Sequence, residues 1–425
     1  MPSDQNLTFS VHESLQSLEH LRPEWDALLS QYPYSTVFST YQWLVAWWRA
    51  FGTEDQLLVL VFRDASSVVV GLAPMALTTR GSPFRLRLLR LMGDGSHDSD
   101  NLDLPVKPGF EDRFAELLLD FLETRRNSWE LGQFNTMPPH SPAANALRQL
   151  FARKKWVAIE QPRPASAIGL PATWEEYTAQ LSGEDRKNLV RYTRRLEKRY
   201  AVQIYRCSAE SQLRKCLEAL FEHHQARWEA AGERGSFGSP ERRKFYYELS
   251  RSLLGQGWLE LWVLELDGRV VAAQFGFRYR RQVFQLQEGN DPRHASDRVG
   301  FVLRGQVIKQ LIADGVQTYD FLGGELGYKA RWGARSCTYT DVGFARPFSL
   351  GGAYLHGRHK AAQSKAWLRK HLPKPAWDAL HKINVQVWRT GRSDTGSEVP
   401  PGPAASSRNA TPEDADNQIR ESNKS

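Results

Sequence analysis

The chain has 425 residues, which exceeds one typical domain core and predicts two domains. Hydrophobic residues make up 41% and charged residues 24%, values that are ordinary for a globular chain and argue against a fibrous or wholly disordered protein. No uninterrupted apolar run approaches the ~20 residues of a membrane-spanning helix. The first residues lack a secretory signal and the three cysteines form no C-x-x-C pair, so we expect a reducing, cytoplasmic location.

The net charge of +8 is concentrated in two segments. Residues 186–199 hold seven Lys or Arg against one Glu, and residues 356–390 hold eight against one Asp. Such patches attract nucleic acid, anionic lipid or phosphorylated ligands. For each patch taken alone, a solvated helix face is the simpler interpretation.

In chain order, the first half begins with an aromatic helix and a pair of strands. The helix covers 41–52, and the strands lie within 55–77 around a turn at Asp64. The predicted elements that follow are a strand at 86–93, a polar loop at 94–101, a helix near 110–126, a Pro- and Asn-containing loop at 133–145, and a crossing segment at 161–174.

The second half repeats the helix and the pair of strands. Its hairpin, within 258–279, turns at Asp267-Gly268, a strong hairpin signal between alternating apolar runs. The other predicted elements are helices at 184–200, 216–235, from Pro240 and at 300–315, and strands at 281–290, 316–322 and 338–347. Because the helix and hairpin recur at an offset of about 200 residues, we predict a tandem duplication.

These patterns predict an α/β (α+β) protein with two tandem domains, each a mixed, mostly antiparallel sheet flanked by helices. We place the N-terminal domain at residues 1–168 and the C-terminal domain at 169–350. Residues 351–390 are predicted to form a basic, Trp-containing helical extension. Residues 391–425 are predicted to be disordered, because they contain too few apolar residues to bury.

The helix start near residue 300 is suited to binding a phosphorylated acyl donor. Acyl transfer from coenzyme A needs backbone donors for the pyrophosphate, a free strand edge for the pantetheine arm and a base for the acceptor. We predict donor binding by Arg298, Val299 and Gly300, with Gln287 on the preceding strand. The alternative is an ordinary helix start that is capped by Asp297.

Three residues are candidates for the chemistry. Glu288 ends a strand where the sheet should split, and it is our first candidate for the general base; a surface salt bridge is the alternative. Asp320 lies inside an apolar strand, where a carboxylate must be paired or hydrogen-bonded, and Lys329 is the expected partner. Lys329 could instead polarise the acyl carbonyl or bind a phosphate.

Polar and aromatic residues near the same strands are predicted to bind substrate. They are Trp228, Gln274, Tyr328 and Trp332. A metal site is not expected, because His97, Asp98 and Asp100 match no standard ligand spacing and fit an Asp- and Ser-rich turn better.

Three stretches resemble the GNAT acyltransferase superfamily, and more specifically the CelD-type acetyltransferases associated with bacterial cellulose and exopolysaccharide production. They are residues 38–52 with the following strand pair, the polar loop after 91–93, and, most specifically, 297–334. The resemblance spans roughly residues 10–345. It departs from the usual phosphate loop, Arg/Gln-x-x-Gly-x-Gly/Ala, of which only Arg298-Val299-Gly300 remains.

The resemblance implies a double GNAT-like fold, related to the FemAB aminoacyltransferases. It implies that the second domain binds acetyl-CoA, without a metal, and that the first covers the acceptor cleft. The reaction would be N- or O-acetyl transfer to an amine or hydroxyl acceptor linked to exopolysaccharide or cell-envelope biosynthesis. Envelope polysaccharide synthesis proteins are the implied partners.

Two alternatives stay open. One is a FemAB-like transferase that uses aminoacyl-tRNA, with the basic helix at 184–200 contacting RNA phosphate, although nucleic acid is not the expected partner. The other is a non-catalytic scaffold in a polysaccharide biosynthesis complex. In either case, residues 356–390 are expected to pack on the second domain, with docking on an anionic membrane or a partner protein as the alternative.

Overall fold

The computed structural model describes residues 6–80, 86–96, 98–230 and 235–371. His97, residues 372–390 of the predicted extension and the predicted disordered tail lie outside the described residues. The strands are β1 (Thr8–His12), β2 (Gln56–Arg63), β3 (Val69–Arg80), β4 (Leu86–Leu91), β5 (Leu131–Met137), β6 (Val157–Gly169), β7 (Val202–Arg206), β8 (Leu259–Leu266), β9 (Arg269–Tyr279), β10 (Gln282–Asn290), β11 (Thr318–Gly323) and β12 (Arg335–Ala345). The helices are α1 (Leu15–Glu19), α2 (Arg22–Gln31), α3 (Tyr41–Phe51), α4 (Glu111–Thr124), α5 (Pro142–Arg153), α6 (Trp174–Gln180), α7 (Gly183–Arg199), α8 (Glu210–Ala230), α9 (Pro240–Gly255), α10 (Val299–Ala313) and α11 (Leu350–His371).

The strands form one continuous sheet in the order β1-β2-β3-β4-β5-β12-β6-β11-β10-β9-β8-β7. Most neighbouring strands are antiparallel, while β4 with β5 and β10 with β11 are parallel. The predicted α/β class, with a mostly antiparallel sheet flanked by helices, is confirmed. The hairpin signal is confirmed as well, since Asp267 and Gly268 turn between β8 and β9 with φ of 51° and 80°.

Each half contains one short parallel pairing that splits soon after it begins. In the first half, Leu88–Arg90 pairs with residues 131–133, and in the second half residues 282–284 pair with 318–320. Three paired residues on each side are too few to keep the strands together along their whole length. Both halves therefore contain a V-shaped opening in the sheet, as expected for diverged copies of one unit.

The two halves exchange their last strands at the centre of the sheet. The strand β12, which ends the second half, lies between β5 of the first half and β6. In turn β6, which ends the first half, lies between β12 and β11 of the second half. The β6–β12 ladder runs from Arg335↔Ala167 to Ala345↔Val157. Backbone hydrogen bonds therefore tie the halves together, and each half completes the sheet of the other.

The hydrophobic core continues across both halves. Phe38 and Trp43, from the first half, contact Phe277 with ring centroids 5.7 and 5.0 Å apart. Phe38 also contacts Phe284 at 5.7 Å. A second core lies on the other face of the second half, beneath α10, where Val302, Ile308 and their neighbours are fully buried. The aromatic helix predicted at 41–52 thus packs on the second half as well as on its own strands.

The predicted loop at 133–145 is too long. Residues 133–137 belong to β5 and 142–145 to α5, which begins at Pro142 with Ser141 as its N-cap, so only residues 138–141 lie outside both elements. The strand β5 pairs with β4 and β12, which are distant in sequence. The local sequence pattern therefore did not predict this strand.

The predicted crossing segment at 161–174 is largely the strand β6. It contains Pro162 and Pro164, which usually argue against a strand. Both prolines lie where β6 pairs only with β12, because pairing with β11 covers residues 165–169. The missing N–H groups are therefore tolerated, since no second ladder requires them there.

The extension begins as α11 and leaves the body of the protein after one turn. Gly351, Gly352 and Leu355 are buried against β12 and β6. The later side chains of α11 that the structure describes are mostly exposed, so the expected packing of residues 356–371 on the second domain is not seen. In the described parts of the chain, no helix combines the length and the apolar character needed to cross a bilayer.

Substituting Gly132 by Ala should destabilise the protein, because an added Cβ would overlap the ring of Phe344 in β12. Overpacking of this kind costs about 1–3 kcal/mol. Urea denaturation should show this loss, while Gly169→Ala, which meets no atom within 4 Å, should change the stability by less than about 0.5 kcal/mol. Equal effects of the two substitutions would contradict the described packing between β5 and β12.

Candidate active site

The opening between β10 and β11 leaves part of one strand edge without a partner. Pairing of the two strands ends at Phe284↔Asp320, whereas β10 stays paired with β9 as far as Asn290. A bulge lies between Gln285 and Gln287 and turns the following side chains. Backbone groups after Phe284 on the β11 side are thus outside the ladder. They form the kind of strand edge that an extended ligand can bind.

Glu288 lies in this opening and is buried in an ion pair. Its carboxylate accepts a hydrogen bond from Arg304 of α10, and both side chains are almost fully buried. The guanidinium of Arg227, at the end of α8, lies 3.7 Å from the second carboxylate oxygen. Burial disfavours the charged form of Arg304, but the nearby Glu288 carboxylate holds the pKa of Arg304 above its ordinary value. Two cations therefore face one carboxylate.

Three aromatic rings surround the guanidinium of Arg304. The distances from its central carbon to the ring centroids are 5.5 Å for Phe321, 5.2 Å for Tyr328 and 5.5 Å for Trp332. Such contacts stabilise a desolvated cation. The Tyr328 hydroxyl and Arg304 Nε are buried and make no hydrogen bond. Hence this cluster contains unsatisfied donors, which is unusual for a purely structural core.

Gln274 belongs to the same cluster. It lies opposite Glu288 in the β9–β10 ladder, and its Nε2 donates to the hydroxyl of Tyr319 over 2.6 Å. Four of the predicted site residues are consequently brought together on one face of the sheet: Glu288, Gln274, Tyr328 and Trp332.

Asp320 and Lys329 lie in a neighbouring cluster at the junction of the two halves. The Asp320 carboxylate accepts a hydrogen bond from the Leu322 N–H at 2.7 Å and lies 3.5 Å from the Tyr339 hydroxyl. Lys329 is buried, and its Nζ donates to the Gly323 carbonyl at 3.3 Å. The two charges affect each other's pKa, while their hydrogen bonds go to other groups.

The first half contributes to this cluster through its polar loop. Asp100 accepts a hydrogen bond from the Gly323 N–H at 3.0 Å, and Asn101 donates to the Tyr339 hydroxyl at 2.9 Å. Asp98 of the same loop accepts from Tyr246 of α9 at 3.0 Å. The Asp- and Ser-rich loop therefore holds the two halves together. Among the described residues, no group of His, Cys, Asp or Glu is arranged to hold a metal ion.

The environment shifts both titrating groups of the junction toward neutral pH. Burial, together with the charge of Asp100, raises the pKa of Asp320 to about 7. Burial lowers the pKa of Lys329 to about 8, although Asp320 and Asp100 oppose that shift. The residue Asp320 as a whole is only partly buried. A carboxyl and an amine whose pKa values lie near 7 are suited to proton transfer.

The predicted phosphate-binding residues lie at the start of α10, apart from both clusters. Arg298 adopts a left-handed conformation with φ of 57° and precedes the first helical residue, Val299. No described side chain caps the helix, so its first N–H groups receive no side-chain hydrogen bond from the described residues. An added Cβ at Gly300 would lie 2.5 Å from the amide of Asn290, so a larger residue would displace that side chain. Asp297 is no cap here, since its carboxylate bonds to Arg199, Tyr200 and His294.

Gln287 and Trp228 lie near a buried histidine. The Trp228 indole donates to Nε2 of His224 at 3.0 Å, and Gln287 lies beside the same ring. Burial lowers the pKa of His224 to about 3, so the ring is neutral at physiological pH. These two predicted residues are therefore held beside His224 rather than against the Arg304 cluster.

The corresponding opening in the first half has different chemistry. There Asn135 donates to Asp94 at 2.8 Å, and the buried Arg90 pairs with Asp55. The contacts of this opening therefore differ from those around Glu288 and Asp320 in the second half.

Sequence reasoning missed several residues of the site. They are Arg227, Arg304, Tyr319, Asp100, Asn101, Tyr339 and His224. Arg304 could have been found from the sequence, because an arginine inside the apolar stripe of α10 is expected to be buried and paired with an acidic residue. Asp100 gave no such signal, because its hydrogen-bond partner Gly323 lies 223 residues away in the chain. Tyr339 gave none either, because its approach to Asp320 depends on the pairing of β12 with β6.

Comparisons with known proteins agree with this arrangement. Residues 183–330 match the family model described as an acetyltransferase (GNAT) domain. The structure of FemX is similar with a TM-score of 0.55 and 11% identity, covering 82% of this chain and 99% of FemX. A conserved protein of unknown function from Bacteroides thetaiotaomicron has a TM-score of 0.51 and 12% identity, covering 80% of this chain and 100% of its own. A search of curated proteins found no match.

The split sheet, the uncapped helix after it and the family match define the class of the second half as a GNAT-type acyltransferase domain. The family match, which covers residues 183–330, supports an acyltransferase activity for the protein. At these low identities, the similarity to solved structures bears on the fold alone.

Removing one partner of the buried ion pair should be costly. Arg304→Met leaves Glu288 with only the more distant Arg227, and we expect a loss of about 3–5 kcal/mol in the free energy of unfolding. Urea denaturation at pH 7 checks this loss. The double substitution Arg304→Met with Glu288→Gln should recover part of it, because no uncompensated charge then stays buried.

The control is an exposed ion pair. Arg251 lies 2.9 Å from Glu210, and both side chains are more than half exposed. Arg251→Met should cost less than about 1 kcal/mol. A similar loss of unfolding free energy for Arg304→Met and Arg251→Met would show that Glu288 is much more accessible to water than the structure describes.

Proposed function

We propose that the protein transfers an acetyl group from acetyl-CoA to an amine or hydroxyl acceptor that is linked to bacterial exopolysaccharide or cell-envelope biosynthesis. The observation that carries this proposal is the opening between β10 and β11, which has a free strand edge on one side and the Asp320–Lys329 cluster at its end. The acetyl donor and the acceptor class follow from the resemblance to CelD-type enzymes. The cytoplasm is the expected compartment.

The donor site would combine two features of the second half. The free edge of β10 would hydrogen-bond the pantetheine arm, in the manner of an added strand. The uncapped start of α10, with Arg298, would bind the pyrophosphate. A thioester that enters along β10 would thus bring its carbonyl to the end of the opening.

Asp320 is our proposed general base. As the acceptor attacks the thioester carbonyl, its proton would pass to Asp320, and the C–S bond would break to release the coenzyme A thiolate. Lys329, which is largely protonated at pH 7, would stabilise the developing oxyanion or protonate the leaving thiolate. Glu288 stays a predicted proton acceptor, but its carboxylate is engaged by Arg304. We therefore propose to test Asp320 first.

The acceptor would approach from the first half. The loop containing Asp100 and Asn101 forms one side of the Asp320–Lys329 cluster, so the first half can select what reaches the base. This arrangement supports the expected division of labour, in which the second half binds the donor and the first half covers the acceptor.

A second candidate is aminoacyl transfer from aminoacyl-tRNA. Two observations favour it: α7 presents exposed cations such as Lys187, Arg194 and Lys198, and the fold is similar to that of FemX. Binding of tRNA that weakens steeply with added salt would support this candidate.

Binding of acetyl-CoA is the first test of the donor. Calorimetric titration should show micromolar binding, and Arg298→Ala should weaken it about tenfold, because a cation beside the pyrophosphate is lost. The exposed Arg251→Ala serves as the matched control and should leave binding unchanged. Absence of binding at millimolar acetyl-CoA would rule out this donor and leave the aminoacyl-tRNA and scaffold alternatives.

The base is tested by the pH dependence of the reaction, followed as thiol release with an acceptor found by screening amino sugars and oligosaccharides. Asp320 accepts a proton only when ionised, so kcat/KM should rise with pH through about 7. Asp320→Asn should reduce kcat/KM by about 10²- to 10⁴-fold and remove this rise. Glu288→Gln should retain it. A rise near pH 8 that survives Asp320→Asn would instead identify Lys329 as the base.

A further inference from the structure

We propose that residues 346–371, named the basic arm below, dock on an anionic lipid bilayer. The basic arm contains six Arg or Lys and no Asp or Glu. A segment of this kind has nothing of its own to neutralise its charge, so it is attracted to a surface of opposite sign. The proposal concerns where the enzyme acts, and it does not depend on the identity of the acyl donor or acceptor.

The basic arm is anchored at its beginning, and most of its later side chains that the structure describes are exposed. Gly351 lies so close to the carbonyl of Glu130 that no Cβ would fit, and Leu355 is buried beside β5 and β12. From Lys360 to His371, every side chain that the structure describes is exposed. The described part of the helix therefore projects from a fixed base, and its described cations Arg358, Lys360 and Lys365 are exposed.

Large apolar side chains are exposed on the same segment. Phe348 is fully exposed, Leu350 is 74% exposed, Trp367 is 60% exposed and Tyr354 is 43% exposed. The other exposed large hydrophobic residues in the described ranges are scattered singly over distant elements: Phe9, Tyr34, Val68 and Val190. Aromatic and aliphatic side chains beside cations are typical of segments that lie in the headgroup region of a bilayer.

The combination favours lipid over nucleic acid. Phosphate backbones attract cations, but they offer no apolar layer for Leu350 or Phe348. The exposed face of α7 provides a comparison within the same chain, because it has a similar number of cations and a single exposed apolar residue, Val190. If charge alone were sufficient, vesicles would bind equally to α7 and to the basic arm. The basic arm differs from α7 because it combines charge with several exposed apolar side chains.

The test is co-sedimentation of the full chain with vesicles. Vesicles of phosphatidylglycerol and phosphatidylcholine should bind the protein, vesicles of phosphatidylcholine alone should not, and added salt should weaken binding. Reversing three charges, Arg358→Glu with Lys360→Glu and Lys365→Glu, should weaken binding at least about tenfold. Thermal unfolding should stay unchanged, because all three side chains lie at the surface.

The matched control reverses three charges on α7. Lys187→Glu with Arg194→Glu and Lys198→Glu makes the same change in net charge, and this variant should keep most of the vesicle binding. A separate variant, Phe348→Ala with Trp367→Ala, should reduce binding about tenfold without any change in charge. The proposal is overturned if the α7 variant loses binding while the arm variant keeps it. It is equally overturned if the arm variant still binds vesicles and has lost affinity only for a short RNA.

Discussion

The exchange of β6 and β12 between the halves is the constraint on which the rest of the molecule depends. Each of these strands ends one half and completes the sheet of the other. The ladder between them crosses the centre of the molecule, so neither half has a complete sheet without its partner. Because unpaired backbone groups in a buried sheet are costly, this pairing fixes the position of one half on the other. The residues that the two halves contribute to the Asp320–Lys329 cluster are thereby held in fixed relative positions.

Two groups of polar residues follow from that arrangement, and they differ in their chemistry. Glu288 and Arg304 form a buried ion pair among aromatic rings, where charge is balanced and held rigidly. Asp320 and Lys329 lie at the junction with pKa values near neutrality, where protons can move. In our proposal, the second group lies at the end of the opening in the sheet and carries out the proton transfer.

Local signals in the sequence predicted much of the fold. The Asp267-Gly268 turn, the apolar stripe of α10 and the basic α7 are each encoded within a few residues, and all three elements are present in the structure. The strands β5 and β6 were missed, because their partners are β12 and β11, which lie far away in the chain. Prolines in β6 and polar residues in β5 obscured the period-2 pattern, and only the tertiary pairing makes them strands.

Hydrophobic periodicity and turn residues act over short distances, so the class of fold, the duplicated order of its elements and the strand that carries Asp320 are encoded locally in the sequence. The side chains that surround this strand are set by tertiary packing. Asp100, from the polar loop of the first half, hydrogen-bonds to Gly323 close to Asp320, Tyr339 reaches Asp320 from β12, and Arg304 reaches Glu288 from α10. Such contacts depend on how separate elements pack, and a shifted pKa depends on the burial that packing creates.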